Sequence, residues 1–428
     1  MFPRSSTCYG ISSHNYTFQF RIKQVASHLI SRIQSIPNRY AHAAGGPKKV
    51  SEFNLAKSSC KACGIIGMPN IGKSTLFNAL TSTQLAEASN YPFCTINPNV
   101  AKVSVPDARL DKLTEIAHSA KTTRTQLEFV DIAGLVKGAS KGQGLGNQFL
   151  ANIREVSVLL QVVRCFDDED VTHVEKTVDP FRDIDIINTE LILADLDSLD
   201  RMKQKKAKGT KDMQLDVILK AMKTLESGKF ASELELTELE YDVFKNFRLI
   251  TAKPMMFICN VKETEVGGNK HTASVASHAE KMGVPVLVIS AKIEEEIANI
   301  DEKTKAELKP EELLALGGLT ESGLSKIIRQ SRSLLKLNTY YTVGPTESRA
   351  WSIPQGTKAK EAAGYIHTDL EKGFIKAEVI SYDEFVQCAA RNQGASDVFV
   401  KAKTEGKIRN EGPNYVVNDG DIMLIKFK

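Results

Sequence analysis

The chain has 428 residues, 42% of them hydrophobic and 25% charged, which is an ordinary globular composition with room for two or three domains. No run of about 18 uninterrupted apolar residues occurs, which argues against a membrane span. The net charge of +4 is uneven, because residues 1–51 carry seven basic side chains and no acidic one. Residues 52–428 therefore have a charge of −3, so contact with nucleic acid would need a local basic patch.

The first segment has the composition of an organelle-targeting sequence. It is rich in Ser and Arg, and residues 18–33 can form a helix with one basic and one apolar face. We predict that residues 1–58 are a transit peptide or disordered. A mitochondrial address fits the amphipathic helix best, and a plastid address is the alternative. If the segment does not direct transport, we expect the protein in the cytoplasm.

A phosphate-binding motif follows this segment. Residues 67–74 read G-x-x-x-x-G-K-S, between an apolar strand candidate at 63–66 and a helical pattern from residue 76. In this setting the loop N–H groups and the helix N-terminus wrap a polyphosphate, while Lys73 neutralises the β- and γ-phosphates and Ser74 ligates Mg²⁺. The predicted nucleoside triphosphate site comprises Gly67, Pro69, Asn70, Ile71, Gly72, Lys73, Ser74 and Thr75.

Two later segments are placed as in nucleotide-dependent switches. The apolar strand candidate 127–130 ends in Asp131-x-x-Gly134. Asp131 could hold Mg²⁺ through water, and the Gly134 N–H could face a γ-phosphate. Thr95 offers a second hydroxyl ligand for the metal. Leu135 stands where GTPases carry a glutamine that orients water, so hydrolysis should be slow or use another residue.

Apolar strand candidates alternate with helical patterns from about residue 61 to residue 337. This alternation predicts an α/β fold with a mostly parallel sheet covered by helices. Residues 185–250 interrupt the alternation with apolar residues at helical spacing, which predicts an inserted helical hairpin. Its basic tip, Lys203–Lys211, could contact RNA or simply be solvated, and charge alone leaves both interpretations open.

The base-recognition segment departs from the N-K-x-D of GTPases. The strand candidate 255–259 is followed by Asn-Val-Lys-Glu, so the acid is one methylene longer and the lysine is missing from the second place. The segment therefore does not place the acid for the two simultaneous hydrogen bonds that GTPases make to guanine. A Ser-Ala-Lys segment after the next strand resembles the purine-facing segment of GTPases, which favours GTP. The predicted base contacts are Asn260, Val261, Glu263, Ser290 and Ala291.

From residue 338 the pattern changes to short strands and turns. Strands are predicted at 340–343, 350–353, 374–380 and 422–427, with helices at 359–366 and 382–388. The segment predicts a compact α+β module of about 90 residues.

Together these motifs resemble those of the Obg-like ATPase (YchF) family. The resemblance covers residues 61–428 and rests on GMPNIGKSTLFNALT, NYPFCTINPN, FVDIAGLVKGASKGQGLGNQFL, NVKE and RAWSIPQGTKAKEAAGYIHTDLEKGF. It implies a P-loop NTPase G domain at 59–337, with a coiled-coil insertion at about 185–250. It also implies a ubiquitin-like β-grasp (TGS) domain at 338–428.

The resemblance further implies slow ATP hydrolysis, with ATP preferred over GTP, in a switch that binds ribosomes. His173 on a mobile loop would assist hydrolysis beside Lys73, and Asn70 suggests potassium binding. Ribosomal RNA and protein would contact the TGS surface and the basic tip, and we expect a monomer. Two alternatives stay open: a GTPase of the same architecture, and a ribosome- or RNA-binding module in which the nucleotide is structural.

Overall fold

The computed structural model describes residues 46–53, 62–88, 99–132, 145–167, 177–205, 212–300, 321–391 and 398–428. The strands are β1 (Lys48–Lys49), β2 (Ala62–Ile66), β3 (Val100–Ser104), β4 (Thr122–Thr123), β5 (Gln126–Asp131), β6 (Val158–Arg164), β7 (Glu235–Leu236), β8 (Met255–Asn260), β9 (Val286–Ile289), β10 (Leu337–Val343), β11 (Ser348–Pro354), β12 (Phe374–Ser381), β13 (Arg409–Glu411) and β14 (Asp421–Phe427).

The helices are α1 (Lys73–Ala88), α2 (Ala108–Ala117), α3 (Leu145–Glu155), α4 (Pro180–Gln204), α5 (Met213–Glu226), α6 (Glu238–Phe244), α7 (Lys270–Met282), α8 (Ala291–Ala298), α9 (Gly323–Leu334), α10 (Ala359–Ile366), α11 (Thr368–Lys372), α12 (Tyr382–Arg391) and α13 (Val398–Thr404). Among the residues described, no helix is long and apolar enough to span a bilayer.

The chain forms two compact units. The described part of the first, here called the helical unit, comprises residues 46–52, 192–205 and 212–252. The remaining described residues form the second, here called the sheet unit. Helix α4 contributes residues to both units.

The nucleotide half of the sheet unit is built on a six-stranded sheet with the order β3-β5-β2-β6-β8-β9. All neighbours are parallel except the antiparallel edge pair β3–β5. Every residue of β2, β6 and β8 is buried, because a parallel sheet is covered by helices on both faces. The predicted α/β class with a mostly parallel sheet is confirmed.

The C-terminal half contains a second six-stranded sheet with the order β13-β12-β14-β10-β11-β4. Its first and last C-terminal strands, β10 and β14, are parallel neighbours, while β10–β11 and β12–β14 are antiparallel. Helix α10 packs on one face of this sheet, with Ala359 and Ala362 in the same apolar cluster as Tyr340 and Val379. The α+β prediction for this region is confirmed, and the arrangement agrees with a β-grasp.

The boundary predicted at residue 337 does not separate two independent packing units. Strand β4 lies in the C-terminal sheet, where Thr122 and Thr123 pair in parallel with β11. Leu110 and Leu113 of α2 share a buried cluster with Tyr341 and other C-terminal residues. The sequence did not indicate that α2 and β4 pack with the C-terminal sheet, because pairing between distant segments leaves no local periodicity.

The helical unit corrects the predicted extent of the disordered N-terminal segment. Lys48 and Lys49 pair antiparallel with β7, and Val50 is fully buried, with its N–H 2.9 Å from the Leu234 carbonyl oxygen. Disorder up to residue 58 was therefore wrong for residues 48–52. The helices expected in the insertion are present on both sides of the predicted tip, but residues 206–211 of that tip lie outside the described residues.

Candidate nucleotide-binding site

The phosphate-binding motif forms the turn between β2 and α1. Gly67 has φ +154°, and a Cβ there would lie 2.3 Å from Ile71 Cδ1 and 2.8 Å from the Val162 carbonyl oxygen. Gly72 has φ +94°, and its Cβ would lie 2.2 Å from Asn260 Nδ2. Only glycine avoids both the unfavourable backbone conformation and these collisions. Packing of the loop against β6 and β8 therefore requires both glycines.

The loop residues divide into buried anchors and outward-facing groups. Ile71 and Lys73 are buried, whereas Asn70 and Ser74 are exposed. Asn70 adopts a left-handed conformation with φ +58°. Because α1 begins at Lys73, the N–H groups of Ser74 and Thr75 lie in its first turn, where the helix dipole favours an anion. The loop therefore has the geometry of a phosphate site.

Lys73 is buried beside this loop, and its charge interacts with that of the partly buried Asp131. Lys73 Nζ donates to the Met68 carbonyl oxygen at 2.7 Å. Burial lowers the pKa of Lys73 and the charge of Asp131 opposes that shift, while burial raises the pKa of Asp131 and Lys73 opposes it. Asp131 Oδ1 is buried and has no hydrogen-bond partner among the described residues. A buried carboxylate oxygen without a partner in the described part of the chain, on the strand residue that pairs with Ile65 next to the loop, fits a hydrated Mg²⁺ held by Ser74 and, through water, by Asp131.

Asn260 connects the phosphate loop to the predicted base-recognition segments. Its Nδ2 donates to the Ile71 carbonyl oxygen at 3.0 Å, and its Oδ1 accepts from the Ala291 N–H at 2.9 Å. The side chain is only 5% exposed, so both bonds are shielded from water. Asn260 therefore holds the phosphate loop and the start of α8 together at the end of β8.

The other predicted base contacts lie around this asparagine. The N–H of Val261 donates to the Ile289 carbonyl oxygen at 2.9 Å and so is not a donor for a base. Ser290 is the N-cap residue of α8, and its buried Oγ has no partner among the described residues. Glu263 forms an ion pair with Lys292. Sequence reasoning did not assign a role to Lys292, because the motif pattern does not show which side chain reaches the acid.

Four predicted features lie outside the described residues. They are Thr95, Gly134, Leu135 and His173. Their roles as a metal ligand, a γ-phosphate contact, a replacement for glutamine and a catalytic group stay predictions.

Lys253, which precedes β8, is a second residue whose role the sequence did not reveal. Its Nζ donates to the carbonyl oxygens of Ile153 at 2.6 Å and Arg154 at 2.8 Å, and also to that of Val156. A cation at the last carbonyls of a helix compensates their partial negative charge. Lys253 thus fixes the end of α3, the helix that follows the predicted switch segment.

The fold and the site define a P-loop nucleotide-binding protein of the GTPase type. A family model described as "50S ribosome-binding GTPase" matches residues 62–195. The YchF-GTPase_C model, described as a protein of unknown function, matches residues 337–428.

The similarity extends to whole relatives. The ribosome-binding ATPase YchF of Pasteurella multocida is 48% identical over 371 residues, covering 85% of this chain and 98% of that protein. The Bacillus subtilis protein of the same name is 45% identical over 373 residues, with the same coverage. The structure of the Schizosaccharomyces pombe YchF GTPase matches with a TM-score of 0.74 and 34% identity, covering 85% of this chain and 97% of that one. The chain belongs to the YchF family.

A more distant structure supports the fold alone. It is a GTP-binding protein from Pyrococcus horikoshii, which matches with a TM-score of 0.53 and 20% identity, covering 86% of this chain and all of that one.

Proposed function

We propose that this protein is a slow ATP hydrolase whose nucleotide state controls binding to ribosomes. The observation that carries the proposal is the phosphate loop, whose buried Lys73 interacts electrostatically with Asp131, an acid whose buried Oδ1 has no partner among the described residues. Relatives at 45–48% identity are named ribosome-binding ATPases, which supports ATP and the ribosome as ligands.

The chemistry we propose is in-line attack of water on the γ-phosphate. The loop N–H groups and Lys73 would bind the phosphates and stabilise the charge of the transition state. A Mg²⁺ held by Ser74, Thr95 and, through water, Asp131 would neutralise charge on the β- and γ-phosphate oxygens. His173 would position the attacking water, since Leu135 cannot do so. A role for Asn70 in potassium binding stays a prediction.

Hydrolysis assays test the enzymatic part of this proposal. Lys73→Ala should weaken ATP binding roughly 10- to 100-fold, because a charge-assisted contact with the phosphates is lost. His173→Ala should leave ATP binding near wild type and lower the hydrolysis rate by about 100-fold. An unchanged rate would remove His173 from the mechanism. Tighter binding of GTP than of ATP to the wild type would instead make the protein a GTPase.

Ribosome co-sedimentation tests the switch. We expect binding to differ between ATP and ADP and to become indifferent to nucleotide in Lys73→Ala. Binding that ignores the nucleotide in the wild type would favour a ribosome- or RNA-binding module with a structural nucleotide. We propose the TGS surface and the basic tip Lys203–Lys211 as the ribosomal contacts.

We also propose a mitochondrial location, from the basic and amphipathic composition of residues 18–33. Imaging of the full chain fused to a fluorescent protein tests this address. Removal of residues 1–45 should leave the protein in the cytoplasm, and a plastid signal would support the alternative.

A further inference from the structure

The two base-facing segments of the site are joined by an ion pair that the motif pattern did not reveal. Glu263 lies three residues after Asn260, and Lys292 is the second residue of α8. The Lys292 ammonium pairs with Glu263 Oε1. Asn260 fixes the same two segments to each other through the Ala291 N–H. The pair therefore occupies the position that base recognition uses in GTPases.

One oxygen of the Glu263 carboxylate, Oε1, already pairs with the Lys292 ammonium. Hydrogen bonds from the Lys292 ammonium and from the main-chain N–H of Glu263 hold the pKa of this acid below its usual range. An ionised carboxylate in this position contacts guanine by accepting from both N1–H and N2–H. Those two bonds would have to compete with a charge-assisted bond that exists without nucleotide. The pair with Lys292 thus weakens Glu263 as the acceptor on which guanine recognition depends.

The hydrogen-bonding character of Lys292 also distinguishes the two purines. An ammonium group has only donors. Adenine has an acceptor at ring position N1, whereas guanine has a donor there. A cation held beside the base position is therefore compatible with adenine and unfavourable for the guanine N1–H.

We propose that Lys292 is a specificity-determining residue, which lowers affinity for GTP relative to ATP by pairing with Glu263. The inference rests on the ATP preference proposed above. Both side chains are partly exposed, 65% for Lys292 and 38% for Glu263. A surface ion pair contributes little to folding stability, so its removal should leave the protein folded.

The test is the ratio of the dissociation constants for ATP and GTP, measured by titration on the full chain. Lys292→Ala and Lys292→Met should shift this ratio toward GTP by about tenfold, because the acid regains its acceptors. Lys292→Arg keeps the pair and should stay within about twofold of wild type. Lys270→Ala removes an exposed lysine from neighbouring α7 and serves as the matched control. An unchanged ratio in both Lys292→Ala and Lys292→Met would overturn the proposal.

A double-mutant comparison tests whether the effect acts through Glu263. In the Glu263→Gln background, Lys292→Ala should shift the ratio less than it does in the wild type, because only the direct effect of the ammonium on the guanine N1–H remains. A shift of the same size in that background would contradict the proposal. The ATP preference itself is read from the wild-type ratio, whereas the role of Lys292 is read from the change relative to wild type. The two ideas can therefore fail separately.

Discussion

Single residues at this site are required by side chains that are distant in sequence. Gly72 is needed because the Asn260 amide occupies the space where its Cβ would be. Asn260 is held there by its bonds to Ile71 and Ala291. The glycine of the motif thus serves the packing of the loop as well as its approach to phosphate.

This packing predicts the effect of Gly72→Ala. The new Cβ would displace the Asn260 side chain and strain the backbone, so ATP affinity should fall at least roughly tenfold and stability by about 1–3 kcal/mol. Gly228→Ala is the matched control, since φ there is +78° but nothing lies within 4 Å of its Cβ. That variant should cost about 1 kcal/mol and leave the affinity unchanged. Equal affinity losses would contradict the steric explanation.

Asp131 gives a second prediction at this scale. Its unpaired Oδ1 suits a hydrated cation, so Asp131→Asn should reduce the gain in ATP affinity that Mg²⁺ provides over EDTA. Titrations with and without Mg²⁺ measure that gain, which we expect to fall roughly tenfold. Glu128→Gln removes a partly exposed acid from the same strand and should keep the full Mg²⁺ effect. If both variants keep it, Asp131 is not part of the metal site.

At the scale of elements, the shortest strands connect segments that are far apart in the chain. Strand β1 has two residues and pairs with β7, almost 190 positions later. Its stability comes from the burial of Val50 rather than from its own length, because two residues cannot form a strand alone. Residues 48–52 thus belong to the folded helical unit.

Truncation tests this assignment. A protein that begins at residue 46 should keep wild-type stability, whereas one that begins at residue 54 loses β1 and the buried Val50. We expect the second truncation to lower the free energy of unfolding by roughly 2–3 kcal/mol. Denaturation in urea, followed by circular dichroism, measures the difference. Two truncated proteins of equal stability would show that β1 contributes nothing.

At the scale of the molecule, α2 and β4 join the nucleotide half of the sheet unit to its C-terminal half. Both elements lie between β3 and β5 in the chain, and β5 ends at Asp131. Asp419 strengthens this connection by accepting from Arg109 of α2 at 2.8 Å, Arg332 of α9 at 3.1 Å and the Thr339 N–H at 2.7 Å. Movement of one half relative to the other must therefore break buried packing as well as hydrogen bonds.

Asp419 also makes a pH-dependent contribution to stability. Burial alone would raise its pKa, but the bonds from Arg109 and Thr339 and the charge of Arg332 outweigh burial and lower it below the usual 3.8. Because the folded pKa is lower than the unfolded one, the stabilisation is complete above about pH 4 and is lost as the pH falls through the folded value.

Asp419→Asn should therefore cost at most about 1 kcal/mol at pH 7, because solvent screens the exposed carboxylate, and this difference from wild type should shrink below pH 4. Urea denaturation at several pH values measures it. Asp383→Asn, at an exposed position in the first turn of α12, should change stability by no more than about 0.5 kcal/mol, the size of its interaction with the helix dipole. A difference between Asp419→Asn and wild type that is independent of pH would contradict the role of the charge.

The sequence by itself determined the fold class, the phosphate loop and the alternation of elements around it. These features are local: a strand, a glycine-rich turn and a helix leave their period and composition within about 25 residues. The strand candidates at 63–66, 127–130 and 255–259 correspond to β2, β5 and β8 of the structure. Helical spacing in residues 185–250 and the change of pattern after residue 337 also predicted the insertion and the C-terminal module, which the family resemblance then identified as a coiled coil and a TGS domain.

Only the tertiary structure decided which distant residues meet. The pairing of β4 with β11, the burial of Val50, the carbonyl contacts of Lys253 and the ion pair of Lys292 with Glu263 all join segments with no shared local pattern. Such contacts depend on how elements pack in space, and neither hydrophobic period nor motif spacing records that packing.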